Sequence, residues 1–130
     1  MEIVRAIMDA QAQGDWSAVF ARYHPQIEWD QSRNRLAFDL PPVSKGHEGV
    51  RDWFRRSATA FGSVEYEHED LIDAGDQVVQ FFRMRVRGRG SGIELEGPLA
   101  QVWTLAGGLV VRVEFFEDRA QALKAAGLSE

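Results

Sequence analysis

Three polar side chains near the C-terminus are the first in this chain with the means to do chemistry. Gln101, Arg112 and Glu114 alternate with aromatic and aliphatic residues in two runs, 99–103 and 109–116, and the Gly107-Gly108 pair between the runs suits a two-residue type I′ turn. Such a turn pairs Ala106 with Leu109. By continuation it sets Trp103 opposite Arg112, Gln101 opposite Glu114 and Leu99 opposite Phe116. On that face an amide and two charges stand among aromatics. Buried without partners they would cost about 1 to 3 kcal/mol each, and more for the charges, so the face is expected to line a cavity holding water or ligand. The chemistry on offer is proton transfer, with Glu114 as acid/base beside Trp103, Phe116 and Trp29, and with Arg112 and Gln101 orienting it or polarising a carbonyl. A second reading stands beside it, in which Arg112 and Glu114 form a structural ion pair and the pocket only binds. Ala100, Val102, Thr104, Val111, Val113 and Phe115 would make up the opposite face, an apolar set suited to packing on another layer or another copy of the chain.

Other candidates are set by their surroundings. Asp30 and Arg33 resemble the Asp-Arg arrangement of an epoxide hydrolase, although a polar turn after a strand commonly carries such residues. His24, His47 and His68 lie far apart without metal-ligand spacing. His47 falls at a helix start and His68 on a glutamate-rich strand, and both read as solvated or satisfied side chains. Arg83, Arg85, Arg87 and Arg89 alternate along one strand, a pattern that can track phosphates. Yet Glu65, Glu67 and Glu69 alternate in the preceding strand, and a three-residue turn over Ala74-Gly75-Asp76 sets Glu67 against Arg83 and Glu65 against Arg85, a ladder of ion pairs.

The elements that must position these groups follow from periodicity. Ile3, Val4, Ile7 and Met8 recur at helical spacing up to Gly14, and Asp15 caps a second stripe of Trp16, Val19, Phe20 and Tyr23 that Pro25 ends. A short strand at 27–30 leads through a polar segment and a proline-bearing loop to Gly46. Val50, Trp53, Phe54, Ser57, Ala58 and Phe61 then mark an amphipathic third helix. From Val64 the period is two, and turn signals at 73–76, 88–92 and 107–108 divide the rest into four strands of an antiparallel meander. A short helix capped by Asp118 and stopped by Gly127 closes the chain. Helices first and strands afterwards make an α+β domain, and 130 residues, 45% of them hydrophobic, fit one domain over 1–130. The absence of cysteine excludes disulfide and thiol chemistry. A net charge of −5 disfavours the positive field that nucleic-acid binding uses. No apolar run approaches the roughly 18 residues that span a bilayer, and the N-terminus lacks a signal peptide's order, so a cytoplasmic protein without membrane attachment is expected.

The element order, the Glu28-Trp29-Asp30 strand, the Gly46-His47-Glu48-Gly49 helix entry and the aromatic meander ending Glu117-Asp118-Arg119 together resemble the SnoaL-like branch of the nuclear-transport-factor-2-like (NTF2-like) superfamily, over nearly the whole chain. The resemblance implies a cone in which N-terminal helices pack on a curved, mostly antiparallel sheet, a cystatin-like roll, with a pocket between them. It also implies polyketide-cyclase-like chemistry on an apolar carbonyl compound without metal or organic cofactor, or else a binding module for a small hydrophobic ligand, or a homodimeric scaffold. Trp29, Trp53, Phe54, Trp103, Phe116, Leu99, Phe81 and Tyr23 are the expected pocket residues. Matched to the related ketosteroid isomerases, Ile7 and Gln101 stand where the two acidic donors of the oxyanion would be, and Trp29 where the base would be, so steroid isomerisation by that mechanism is not expected.

Overall fold

The computed structural model describes residues 1–33, 40–88 and 94–128. Helices α1 (Glu2–Ala12) and α2 (Trp16–Ala21) meet at Gly14-Asp15, where the Asp15 carboxylate accepts from Ala18 N at 3.2 Å and caps α2. Helix α2 stops before the Pro25 expected to end it, and strand β1 (Tyr23–Asp30) begins four residues earlier than the apolar signal suggested, taking Tyr23 from the helix stripe into the sheet. The loop expected before Gly46 holds a short strand, β2 (Val43–Lys45), paired antiparallel with β1. Helix α3 (Gly46–Ala60) carries Val50 and Trp53 inward and ends one residue short of Phe61, which opens β3 (Phe61–Asp73). Then follow β4 (Gln77–Gly88), β5 (Glu94–Ala106), β6 (Leu109–Phe116) and α4 (Arg119–Ala125), whose cap is Asp118 accepting from Ala120 N at 2.8 Å.

The six strands form one mixed sheet in the order β2-β1-β6-β5-β4-β3, antiparallel throughout except where β1 and β6 run parallel. Helices α1 to α3 cover one face. Val4, Ile7, Val19, Ile27, Val50, Trp103, Val110 and Val113 are among the residues of the core between them. The short α4 covers part of the other face, where Ala122 and Ala126 pack on Val79, Ala100, Val102 and Phe116. The chain is thus the α+β cone that the element order implied.

Register differs from expectation at two places, and the two differ in consequence. Between β3 and β4, Asp73 pairs with Val78, one residue later than a three-residue turn allows. A bulge between His68 and Asp70 takes up the difference and restores the expected pairs Glu67 with Arg83 and Glu65 with Arg85. Between β5 and β6 no such compensation occurs. Gly107 and Gly108 both take positive φ (59° and 83°), as a type I′ turn requires, and they set Ala106 against Leu109 and Leu105 against Val110 as expected. Beyond that point Val111 bulges out, and the pairs become Thr104 with Arg112, Trp103 with Val113, Val102 with Glu114 and Ala100 with Phe116. Strict alternation from Val110 would carry Arg112 and Glu114 into the apolar layer under the helices. The bulge puts Val113 and Phe115 there instead, at a far smaller cost than two buried charges.

Because Gly108 sits at a φ of 83° with open space where a Cβ would stand, its replacement is costly through backbone conformation alone. Gly108→Ala is expected to lower stability by about 1 to 2 kcal/mol and Gly108→Asn by less, measured by urea unfolding.

Candidate functional site: an aromatic cavity

Between the helices and the sheet lies a cavity of about 370 Å³, near the lower end of the range of about 300 to 1,000 Å³ found for small-molecule pockets. Helices supply Met8, Gln11, Ala12 and Trp16 on one side and Trp53 with Phe54 on another. The sheet supplies Trp29 from β1, Tyr66 and His68 from β3, Gln80, Phe82 and Met84 from β4, Gln101 and Trp103 from β5, and Phe115 from β6. Inward-facing positions of the strands alternate, so β3 and β4 contribute even-numbered residues, and their outward odd-numbered neighbours carry the charges. The rings brace one another: Trp29 lies 5.8 Å from Trp53, 5.3 Å from Phe54 and 5.7 Å from Phe115, centroid to centroid, in tilted and edge-on contacts. Trp16 and Tyr66 also line the cavity, and they are two of the three large apolar side chains left exposed among the described residues.

Few polar atoms interrupt this surface. The indole N–H groups of Trp29 and Trp53 are buried and have no acceptor, and the Oε1 of Gln101 is buried and has no donor. Gln80 Oε1 accepts from Trp103 Nε1 at 3.1 Å and from the Gln101 amide. Among the described residues no carboxylate, lysine or arginine lines the cavity. His68 is the exposed imidazole of the lining.

The expected trio of Gln101, Arg112 and Glu114 is therefore divided between the two faces of the sheet. Gln101 is in the cavity, whereas the Val111 bulge turns Arg112 and Glu114 outward, together with Glu28 and Asp30 of the parallel β1 strand. There Arg112 lies 3.3 Å from Glu28, 3.7 Å from Asp30 and 3.2 Å from Glu114. Arg33 approaches Asp30 at 3.9 Å and Glu114 at 3.8 Å, and its guanidinium sits 5.0 Å over the Phe116 ring. Burial pulls the Asp30 carboxyl upward. The two hydrogen bonds it accepts from Ser32, N–H at 2.9 Å and hydroxyl at 2.5 Å, and the charges of Arg33 and Arg112 outweigh that pull and leave it below its ordinary value of 3.8. The Asp30 and Arg33 pair is real, but it belongs to this outward cluster and not to the cavity.

The remaining expected residues sort by the same geometry. Trp29, Trp53, Phe54 and Trp103 line the cavity. Leu99 and Tyr23 are in the apolar core behind it, where burial pushes the Tyr23 phenol above its ordinary value and keeps it neutral. Phe81 and Phe116 face outward, Phe81 under Arg119 and Phe116 under α4. Ile7 is core. His47 donates from Nε2 to the Tyr23 carbonyl at 2.8 Å and packs edge-on to Phe20, tying α3 to β1, while His24 Nδ1 accepts from Gln26 N. The arginine row is answered mainly from β5: Arg85 meets Glu96 at 2.7 Å, Arg87 meets Glu94 at 3.2 Å and Arg83 meets Glu96 at 3.6 Å, with Glu65 farther from Arg85 at 3.9 Å. Arg89 lies outside the described residues. Sequence reasoning missed Gln80, Phe82, Met84, Tyr66 and His68. The signal was present, because the odd-numbered charges of β3 and β4 leave these even-numbered residues to the covered face.

A helix-covered, curved sheet enclosing an aromatic cavity defines a class of small pocket proteins. Within that class the chain belongs to the SnoaL-like domain family, whose model matches residues 4–113. Among similar solved structures, an NTF2-like protein from Burkholderia thailandensis is 28% identical, with 97% of this chain and 95% of that one covered at a TM-score of 0.75. TerC, co-crystallised with polyporic acid, is 21% identical over 97% of this chain and 96% of its own, at a TM-score of 0.76. A Catenulispora acidiphila protein with a ketosteroid isomerase-like fold, in complex with trimethylamine, is 18% identical over 98% and 93%, at 0.71. No protein of curated function matches. No helix among the described residues is long and apolar enough to cross a membrane.

The outward cluster makes a prediction about stability. Asp30→Asn is expected to cost about 1 to 2 kcal/mol at neutral pH, since the charged carboxylate loses its arginines and part of its serine contacts. A carboxyl held below its unfolded value stabilises the fold above that value and loses the effect as pH falls through the folded one. The gap between wild type and variant should therefore be full at pH 7 and shrink below about pH 4, as read by urea midpoints at each pH.

Proposed function

We propose that this SnoaL-like protein binds a small, largely aromatic carbonyl compound in the cavity between α1 to α3 and the sheet. The observation that carries the reading is the pair of buried indole N–H groups without an acceptor on Trp29 and Trp53, two residues that line a mainly aromatic cavity. An indole nitrogen can only donate, and leaving such a donor unpaired in an apolar environment costs about 1 to 3 kcal/mol. A neutral ligand oxygen relieves that cost, while the rings of Trp29, Phe54, Phe82 and Phe115 supply flat apolar contact. A lining without lysine or arginine among the described residues favours a neutral acceptor over a carboxylate or phosphate. Exposure of Trp16 and Tyr66 at the rim fits a surface that a ligand completes. Small organic molecules accompany two of the similar structures, polyporic acid with TerC and trimethylamine with the Catenulispora protein, which supports a pocket for such molecules here.

Turnover is the second reading, and His68 is the observation that favours it. It stands on the cavity rim where it can pass a proton between solvent and a bound carbonyl compound, a place Glu114 does not occupy. If the protein is an enzyme, His68→Asn should remove turnover and leave ligand affinity within about two-fold.

Titration of aromatic ketones against the intrinsic tryptophan fluorescence tests the binding reading. Trp53→Phe keeps most of the ring but deletes the donor and is expected to weaken ketone binding about five- to ten-fold, with the parent hydrocarbons affected less. Glu114→Gln, on the far face of the sheet, should leave affinity unchanged within about two-fold. Equal loss for ketone and hydrocarbon, or a large loss in Glu114→Gln, would speak against the assignment.

A further inference from the structure

The cavity also presents one acceptor whose orientation its neighbours lock. Trp103 Nε1 can only donate, so the Gln80 atom it meets at 3.1 Å is the carbonyl oxygen Oε1. That same oxygen touches the amide of Gln101, its cross-strand partner on β5, and two amide oxygens cannot share that range, so Gln101 offers its NH₂ there. Its own Oε1 is thereby left buried and without a donor, on a cavity-lining residue only 7% exposed. Flipping the Gln101 amide would set oxygen against oxygen at Gln80. Flipping both amides would set the Gln80 NH₂ against the Trp103 N–H. The free acceptor is thus a property of three side chains on two adjacent strands, and no amide flip within the trio removes it.

We infer that Gln101 determines specificity by accepting a hydrogen bond from the ligand, which makes the ligand class a hydroxylated aromatic carbonyl compound, phenolic or enolic, rather than a bare ketone or its ether. The inference deepens the pocket reading and rests on it. The ligand oxygen answers Trp29 and Trp53, and the ligand hydroxyl answers Gln101. A methyl ether carries no proton and brings a methyl group against an unpaired buried oxygen, so the site discriminates against it by leaving its own polar group unsatisfied.

The experiment is a calorimetric titration of the full chain with a positional series of hydroxytetralones, their methyl ethers and unsubstituted tetralone, in wild type and Gln101→Met, a substitution close in volume that removes the acceptor. At least one hydroxytetralone should bind about ten-fold or more tightly than its own methyl ether and than tetralone. That preference should collapse in Gln101→Met while tetralone still binds. Equal affinity for hydroxyl and ether throughout the series, or a preference that survives in Gln101→Met, overturns the role of Gln101 and leaves the pocket reading standing. Binding of no member of the series, tetralone included, overturns the pocket reading and this one with it. Should the methionine variant not fold, the side-chain amide NMR signals of Gln101 in wild type decide: they should shift with the preferred hydroxytetralone and not with its ether, and a shift common to both overturns the inference.

Discussion

A strand that reads Leu-Val-Val-Arg-Val-Glu-Phe-Phe, pinned at its start by a two-glycine turn, cannot alternate regularly and keep its charges out of the core. The turn places Val110 inward, and every second residue after it is Arg112, Glu114 and Phe116. The bulge at Val111 resolves the conflict, and nearly everything of functional interest depends on that one inserted residue. Because of it the cavity wall receives Phe115 rather than Glu114, and Val113 packs behind Trp29 in the parallel pairing of β1 with β6. Because of it, too, Arg112 and Glu114 join Glu28 and Asp30 in a cluster where each charge has a partner. The apolar interior and the polar cluster are two results of a single offset.

Much of the architecture was legible in the sequence because it rests on local physics. Asp15 and Asp118 cap the helices they were expected to cap, the glycines at 107 and 108 turn the hairpin, and the stripe through Val50 and Trp53 faces the sheet. The β2 strand was not legible. Three residues paired to the edge of β1 carry no periodicity of their own. The candidate site was legible by halves. Trp53 and Phe54 reach the cavity through helix period, and Trp29, Gln101 and Trp103 through the alternation of their strands. Arg112, Glu114 and Phe116 do not, because their places follow from a bulge, and a bulge is decided by the burial balance of the whole strand rather than by the turn that starts it. The β3–β4 hairpin makes the same point in reverse: its turn was misjudged by one residue, yet a compensating bulge near Glu69 returned the expected pairs.

The cavity itself combines two kinds of order. Its aromatic shell is held by mutual ring contacts that specify shape but say little about chemistry. Its buried polar points are few: two donor-only indoles without acceptors, and an amide pair whose orientation follows from Trp103. Such a lining is permissive about ligand outline and selective about where a ligand places its donors and acceptors.

Strand β3 forms one border of the sheet and is thirteen residues long, with its outer row of backbone groups unpaired by any other described strand. Long open borders of this kind invite a second chain to add itself as another strand, the first step towards fibrous assembly. Here the strand carries Glu65, Glu67, Glu69, Asp70 and Asp73 and no lysine or arginine, and the bulge between His68 and Asp70 breaks its straightness. Two copies meeting border to border would press like charges together along a kinked line. The acidic row of β3, only one member of which reaches the arginine row beside it among the described residues, therefore works against sideways growth of the sheet.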